Sequence, residues 1–243
     1  MPSEKAQVGS VWTRPRRGRE QPALTREQIV ATAVQLLDAE GMEALSMRTL
    51  GARLNAGATS LYRHVANRDE LIELVVDEVY GEIRVPKIDD PKQWRAATVE
   101  FAGSLRAMIL GHPWMASTLG HVGLSYLGPN VMRMTDDSAA LFEVGGFAAV
   151  EMGDAVGAVT SYVVGCGITE AAWLALLARS GQTEQEMVDS LRPAAEAAAK
   201  DFPRLQGSGG EDDLSADPKV VRDRKFGYGL DRILDGLEAH RDA

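Results

Sequence analysis

Apolar residues return at three- and four-residue steps along nearly the whole of this 243-residue chain, while the alternating and β-branched runs that mark strands are almost absent. That spacing predicts an all-α fold. The first helix opens at Thr25, whose hydroxyl caps it while Gln28 reaches back, a capping-box spacing. Ile29, Ala33, Leu36 and Leu37 form its inner face, and Gly41 supplies a left-handed stop. A second, short helix starts at Ser46 and turns Met47, Leu50 and Leu54 inward; Asn55 then stands where the chain must bend sharply. A third spans about 58–65 and buries Leu61 and Val65. Asn67 caps a fourth, with Glu70 in the reciprocal position. Further helices are expected from Asp90-Pro91, over 113–119, from Pro129, over roughly 147–179, from Thr183 to about Lys200, and from Asp217-Pro218 to the end.

Charge is distributed unevenly along this series. The whole chain carries −9, which argues against a nucleic-acid partner, but residues 1–68 hold ten basic and six acidic side chains, a net +4, leaving −13 on residues 69–243. A small basic head on a large acidic body needs a functional explanation. Three segments follow. Residues 1–22, with Arg14, Arg16, Arg17 and Arg19 and no apolar face, read as a disordered basic arm; 23–68 as a helix-turn-helix head; and 69–243 as a larger body, with 202–216 a Gly- and acid-rich flexible loop. No run of about eighteen uncharged apolar residues predicts a membrane span. No secretory signal is apparent, and Cys166, the single cysteine, permits neither an internal disulfide nor a cysteine zinc site; it reads as an inert core thiol in a cytoplasmic protein. No Ser-His-Asp order, paired carboxylate motif, phosphate loop or Cys-His arrangement points to an enzyme, and no metal or cofactor is expected.

The chemistry sits between Ser46 and His64. Two short helices joined by a tight turn form a helix-turn-helix, whose second helix must enter a major groove about 12 Å wide with short or flexible side chains outward. Ala58, Thr59, Ser60, Tyr62, Arg63 and His64 meet that need, with Leu61 and Val65 holding the helix to its core. Thr59, Ser60 and Arg63 are the candidates for base edges. Ser46, Arg48, Tyr62, His64 and Arg68 are better placed for phosphate oxygens, which fix register rather than sequence. On pattern alone, the same residues also suit a small bundle whose caps and outer face are merely solvated.

The stretch from Thr25 to Val79 resembles the N-terminal domain of the TetR family of repressors. The shared features are Ile29-x-x-x-Ala33-x-x-Leu36-Leu37, then Glu40-Gly41-x-x-Ala44-Leu45-Ser46-Met47-Arg48-x-Leu50-Gly51-x-x-Leu54, Ser60-Leu61-Tyr62-Arg63-His64-Val65 and Asn67-Arg68-Asp69-Glu70-Leu71. The match covers roughly a quarter of the chain. The segment from Phe226 to Leu237 is similar to a tetracycline-repressor type of effector domain. Asn55 and Gly57 depart from the family, where a Gly and a capping Ser are common, and the arginine arm exceeds the family minimum. The arm is either a minor-groove reader or a nonspecific tether.

The resemblance implies a cytoplasmic homodimer that reads an inverted-repeat DNA operator with two recognition helices about 34–36 Å apart. A hydrophobic small-molecule effector releases it, and the controlled gene is an exporter or a drug or secondary-metabolite gene. Phe101, Leu105, Met108, His112, Trp114, Met115, Tyr126, Phe142 and Tyr162 are the candidate effector wall, although each also suits plain core. His112, ending its helix before Pro113, also suits contact with that helix's last carbonyls. Gly153, Gly157, Phe226, Leu230, Ile233 and Leu237 are candidates for the dimer face, with an intramolecular core as the alternative. A lipid or catabolic regulator with an acyl-type effector, and an architectural DNA binder without an effector, remain alternatives.

Overall fold

The computed structural model describes residues 24–119, 127–205 and 216–241; the four arm arginines, Tyr126 and most of the 202–216 loop lie outside them. Among the described residues there is no strand. The helices are α1 (Arg26–Glu40), α2 (Met47–Arg53), α3 (Ala58–Leu61), α4 (Arg68–Tyr80), α5 (Trp94–Gly111), α6 (Pro129–Val144), α7 (Ala149–Ser180), α8 (Glu184–Ala199) and α9 (Pro218–Arg241), with 3₁₀ turns at Met42–Ala44, Pro91–Gln93 and Pro113–Ser117.

Local chemistry accounts for the boundaries in the head. Thr25 and Gln28 form the capping box, with the Gln28 N–H donating to Thr25 Oγ1 at 3.2 Å and the Thr25 N–H to Gln28 Oε1 at 3.1 Å. Asn67 Oδ1 accepts the Glu70 N–H at 2.8 Å, but the Glu70 carboxylate reaches the Ala66 N–H, one residue before the expected position. α3 is shorter than expected. It ends at Leu61, and the chain turns through Tyr62–His64, where the His64 and Val65 N–H groups both donate to the Leu61 carbonyl. Leu61 and Val65 remain buried together, so the spacing that anchors the helix survives.

Gly41 corrects one expectation. Its φ is +78°, but ψ is −179°, so the residue lies in an extended region essentially restricted to glycine, not in a left-handed helical turn. A Cβ there would meet no atom within 4 Å, leaving backbone strain as the only cost. Gly41→Ala should therefore destabilise by about 1–3 kcal/mol and lower the melting temperature by several degrees, with unchanged contacts in the core. An unchanged melting curve would contradict this.

In the body, α5 and α7 run in the same direction and α9 runs against both, since Trp94 meets Phe147 and Arg241 at one end while Ile109 meets Gly167 and Arg106 meets Glu170 toward the other. Trp94 is fully buried, edge-on to Phe142 at 5.4 Å. Arg95 staples α5 to α9 through Asp231, Asp235 and Glu238 at 3.0, 2.8 and 3.1 Å. Hydrogen bonding from Arg95 holds the Asp235 carboxyl below its ordinary range. Its contribution is thus present near neutrality and lost as pH falls from the ordinary carboxylate value toward the lowered one.

α7 is long and apolar enough, by length and composition alone, to cross a membrane, yet only 17% of its most apolar window is buried. Ala155, Val159, Val163, Gly167 and Ala171, one residue per turn, form its buried stripe.

Candidate nucleic-acid interface and ligand cavity

The turn between α2 and α3 is set by two residues. Asn55 adopts φ +50°, and Gly51 is buried where the chain doubles back, with the Ala56 N–H donating to the Gly51 carbonyl at 2.9 Å. A Cβ on Gly51 would lie 2.8 Å from the Ala56 carbonyl oxygen, so only glycine lets α2 and α3 approach this closely. With Leu61 fully buried, Ala58, Thr59, Ser60, Tyr62 and Arg63 are exposed together and His64 is half-buried beside them. Gly57 begins α3 without a side-chain cap.

The other candidate contacts divide. Arg48 is exposed on α2. Ser46 is committed to capping α2, accepting the Thr49 N–H at 3.0 Å. Arg68 donates to the carbonyls of Leu45 and Met42, both at 3.2 Å, bracing the start of α4 against the preceding 3₁₀ turn.

Head and body meet at His112. Its side chain is 9% exposed; Nδ1 faces Asp38 Oδ1 on α1 at 2.7 Å, and Nε2 faces the Glu82 carboxylate beyond α4 at 3.2 Å. Trp114 Nε1 donates to the same Asp38 oxygen at 2.8 Å. His112 therefore engages Asp38 of the head and Glu82 of the body rather than the terminal carbonyls of α5.

The proposed effector wall is not gathered around one space. Phe101, Leu105, Met108, His112, Trp114, Met115 and Phe142 are all buried. His112, Trp114 and Met115 lie at the head junction, whereas Phe142 packs on Trp94, about 27 Å along α5 at 1.5 Å per residue. Tyr162 donates to the Phe226 carbonyl at 2.8 Å and stacks on the Phe226 ring; a Cβ on Gly229 would overlap its hydroxyl. Burial pushes the Tyr162 hydroxyl up to about 12.

One pocket, lined by Glu82, Arg84, Glu100, Ser104, Ala107 and Met108, borders α5, and a larger, more apolar cavity lies between α7, α8 and α9. It measures about 670 Å³ and is lined by Cys166, Trp173, Val188, Val221 and Phe226, with Thr169 and Gln185 among the polar neighbours. Glu170 accepts from Arg106 at 2.8 and 2.9 Å and from Arg222 at 3.0 Å; Glu184 accepts from Arg222 and, at 2.6 Å, from Trp173 Nε1. Burial lowers the affinity of Arg106 and Arg222 for their protons, but the carboxylate hydrogen bonds outweigh it and both guanidiniums stay above their ordinary value.

Of the residues assigned to a dimer face, Leu230 is 1% exposed and fills the chain's own core. Phe226, Ile233 and Leu237 are half-buried, while a Cβ on Gly153 or Gly157 would meet nothing within 4 Å.

Residues 29–75 match the family profile "Bacterial regulatory proteins, tetR family", and residues 86–241 match "Tetracyclin repressor-like, C-terminal domain". The chain belongs to the TetR family. An HTH-type transcriptional regulator of Saccharopolyspora erythraea is 36% identical over 201 residues, covering 82% of this chain and 81% of that protein. The HTH-type transcriptional repressor DrrR1 of Streptomyces coeruleorubidus is 34% identical over 227 residues, covering 93% and 81%. Among solved structures, Streptomyces coelicolor ActR in complex with actinorhodin superimposes with a TM-score of 0.74 at 34% identity, covering 90% of this chain and 97% of that one.

This TetR-family chain is a DNA-binding, ligand-responsive transcription regulator and not an enzyme. Sequence reasoning missed the acids that meet His112 and the Arg106–Glu170–Arg222–Glu184 chain, because neither leaves a short-range pattern. It also read Cys166 as an inert core thiol, whereas the residue is half-buried beside the cavity.

Proposed function

We propose that this regulator is a homodimeric repressor. It grips an inverted-repeat operator with two α3 helices and leaves it when a hydrophobic small molecule binds, so controlling an exporter or a drug or secondary-metabolite gene. The observation that carries the reading is the exposed face of Ala58, Thr59, Ser60, Tyr62 and Arg63, on α3 and the turn that follows it, anchored by Leu61 and Val65. Arg63 takes a guanine edge, and Thr59 and Ser60 neighbouring bases. Arg48, Tyr62 and His64 meet phosphates, the arm arginines either reach a flanking minor groove or add nonspecific affinity, and Ser46 and Arg68 hold α2 and α4 in register.

Dimerisation is supported by α7. Its unburied face carries Gly153, Ser161, Gly165 and Thr169, small residues that let a second helix approach closely, and Asp154, which is unsuited to lipid. The effector reading draws on ActR, solved with actinorhodin, and on the repressor DrrR1.

The test is salt-dependent binding to DNA immediately upstream of the chain's own gene. A dimer footprinting an inverted repeat is expected, and Arg63→Ala should weaken that binding by about 1–3 kcal/mol, roughly 5- to 150-fold, and relax specificity at one base pair. Removing residues 1–22 should lower affinity and flatten the salt slope. No preference for any upstream fragment over random DNA would defeat the proposal.

A further inference from the structure

We infer that Asp77 is a positioning residue: its carboxylate, on the last turn of α4, caps the first turn of α6 and so holds the recognition face of the head at one angle to the body. The inference deepens the operator-binding reading and rests on it for what that angle accomplishes.

α4 is the helix that joins head to body, since it packs on α1 and also on α6. Apolar side chains are buried along its whole length, Leu71 and Val75 toward its start and Val79 and Tyr80 at its end. Such packing is non-directional, so by itself it allows one helix to slide or turn on another.

The bonds made by Asp77 are directional. α6 has no cap of its own, because Gly128 stands at the capping position and offers no side chain to the first N–H groups of the helix. Asp77 supplies the cap from 53 residues away: Oδ1 accepts the Asn130 N–H at 2.8 Å and the Val131 N–H at 3.0 Å, and Oδ2 accepts the Asn130 side-chain amide at 3.2 Å. A carboxylate at the positive end of a helix makes charge-assisted bonds, stronger and tighter in geometry than neutral ones. A Cβ on Gly128 would overlap the Asp77 carboxyl, so the absence of a local capping side chain is what lets α4 come this close. Arg133, one turn into α6, reaches back toward the Tyr80 carbonyl at the end of α4.

One tie would leave a swivel. The second is the meeting of His112 with Asp38 on α1. The two ties stand on neighbouring helices, α1 and α4, and together they fix an angle that either alone would leave free. An angle set in advance spares operator binding the entropy of ordering the head on the DNA.

The test uses the full chain in a Cys166→Ser background, spin-labelled at Glu43→Cys in the head and Glu143→Cys near the end of α6, both exposed positions. Dilution with unlabelled chain restricts the reading to distances within one chain. A single narrow distance is expected for the parent. Asp77→Ala should broaden it, lower the melting temperature by about 2–4 °C as a lost cap does, and weaken binding of the unlabelled variant to the upstream inverted repeat about tenfold. Adding Gly128→Ser to Asp77→Ala separates position from stability. The new hydroxyl caps α6 from within, in space the carboxyl has vacated, so the melting temperature should return to within about 1 °C of the parent's. The distance should stay broad and the binding weak, because α4 is still untied. Should Asp77→Ala fail to fold, Asp77→Glu keeps the charge and both acceptor oxygens but adds a methylene where Gly128 leaves no room. That variant should displace the labelled distance and weaken operator binding about tenfold. The inference is overturned if the distance distribution of Asp77→Ala, or of Asp77→Glu in its place, matches the parent's, if operator affinity stays within about twofold of the parent's, or if Gly128→Ser restores affinity together with stability. Operator binding by the unlabelled parent is measured alongside. Its absence would defeat the repressor reading and leave the distance distributions to decide the role of Asp77.

Discussion

Gly51→Ala is expected to abolish operator binding and to destabilise the head by about 1–3 kcal/mol, as overpacking does. The sign is the informative part. In an ordinary helix interior this exchange stabilises by about 1 kcal/mol, because glycine loses more backbone entropy than alanine on folding. Here the new methyl would lie 2.8 Å from the Ala56 carbonyl oxygen and 3.5 Å from Leu61 Cδ1. The first of these is backbone in the tight turn that carries Asn55 at φ +50°, so it cannot swing aside as a side chain would. Either the turn opens or α3 is pushed off α2, and the outward face of Thr59, Ser60 and Arg63 moves with it. A thermal melt and an operator titration check both halves. A variant that melts at or above the parent temperature would show that α2 and α3 have room to spare and would refute the packing argument.

The second large effect is expected at His112. Its two ring nitrogens face acids held by different parts of the chain, Asp38 on α1 and Glu82 beyond α4, and Trp114 donates to the same Asp38 oxygen. His112→Ala leaves Asp38 with the indole alone and Glu82 without this contact. Removing one partner from a buried hydrogen-bonded pair costs about 1–3 kcal/mol, and the lower part of that range applies because the Asp38 side chain is 34% exposed and that of Glu82 57%. The larger consequence is functional. The clamp ties α1 of the head to the end of α5, six residues from Arg106, which reaches the cavity's ion chain. His112→Gln and Asp38→Asn, singly and together, should each weaken effector-dependent release from the operator, by a share of the about 5- to 150-fold that such couplings span. The pair should also be non-additive. Additivity within about 0.5 kcal/mol, with release unchanged, would make His112 an ordinary packed side chain.

How far each feature was legible depends on the distance between the atoms that make it. Thr25, Ser46 and Asn67 announce helix starts because a cap is a contact across two or three residues, and the structure places a hydrogen bond at each. Leu61 and Val65 could be read as one buried pair from their spacing alone, even though the helix between them ends early. Gly41 was legible as a helix stop but not in its conformation, since any positive φ favours glycine and ψ is set by where the next segment must go.

In the body the same periodicity reported burial without reporting arrangement. Phe101, Leu105, Met108 and Phe142 are apolar at helical spacing and all buried, but the spacing does not say whether they face an empty space or one another. Leu230 and Ile233 lie on one stripe of α9, yet the first fills the chain's own core and the second is half-buried. Which side of an amphipathic helix meets its own subunit depends on the crossing geometry with its neighbours.

By itself the sequence determined the all-α class, the helix starts, the helix-turn-helix with its Leu61 anchor, and the basic head on an acidic body. These follow from capping, turn chemistry and 3.6-residue periodicity, which act over a few residues. Only the tertiary structure decided that His112 meets Asp38, 74 residues away, that Arg106, Glu170, Arg222 and Glu184 share one ion chain, and that an apolar cavity opens beside α8. Such contacts join single side chains from helices far apart in sequence. Their partners are selected by how the helices pack, and a lone charge or histidine carries no periodic signal of where it will point.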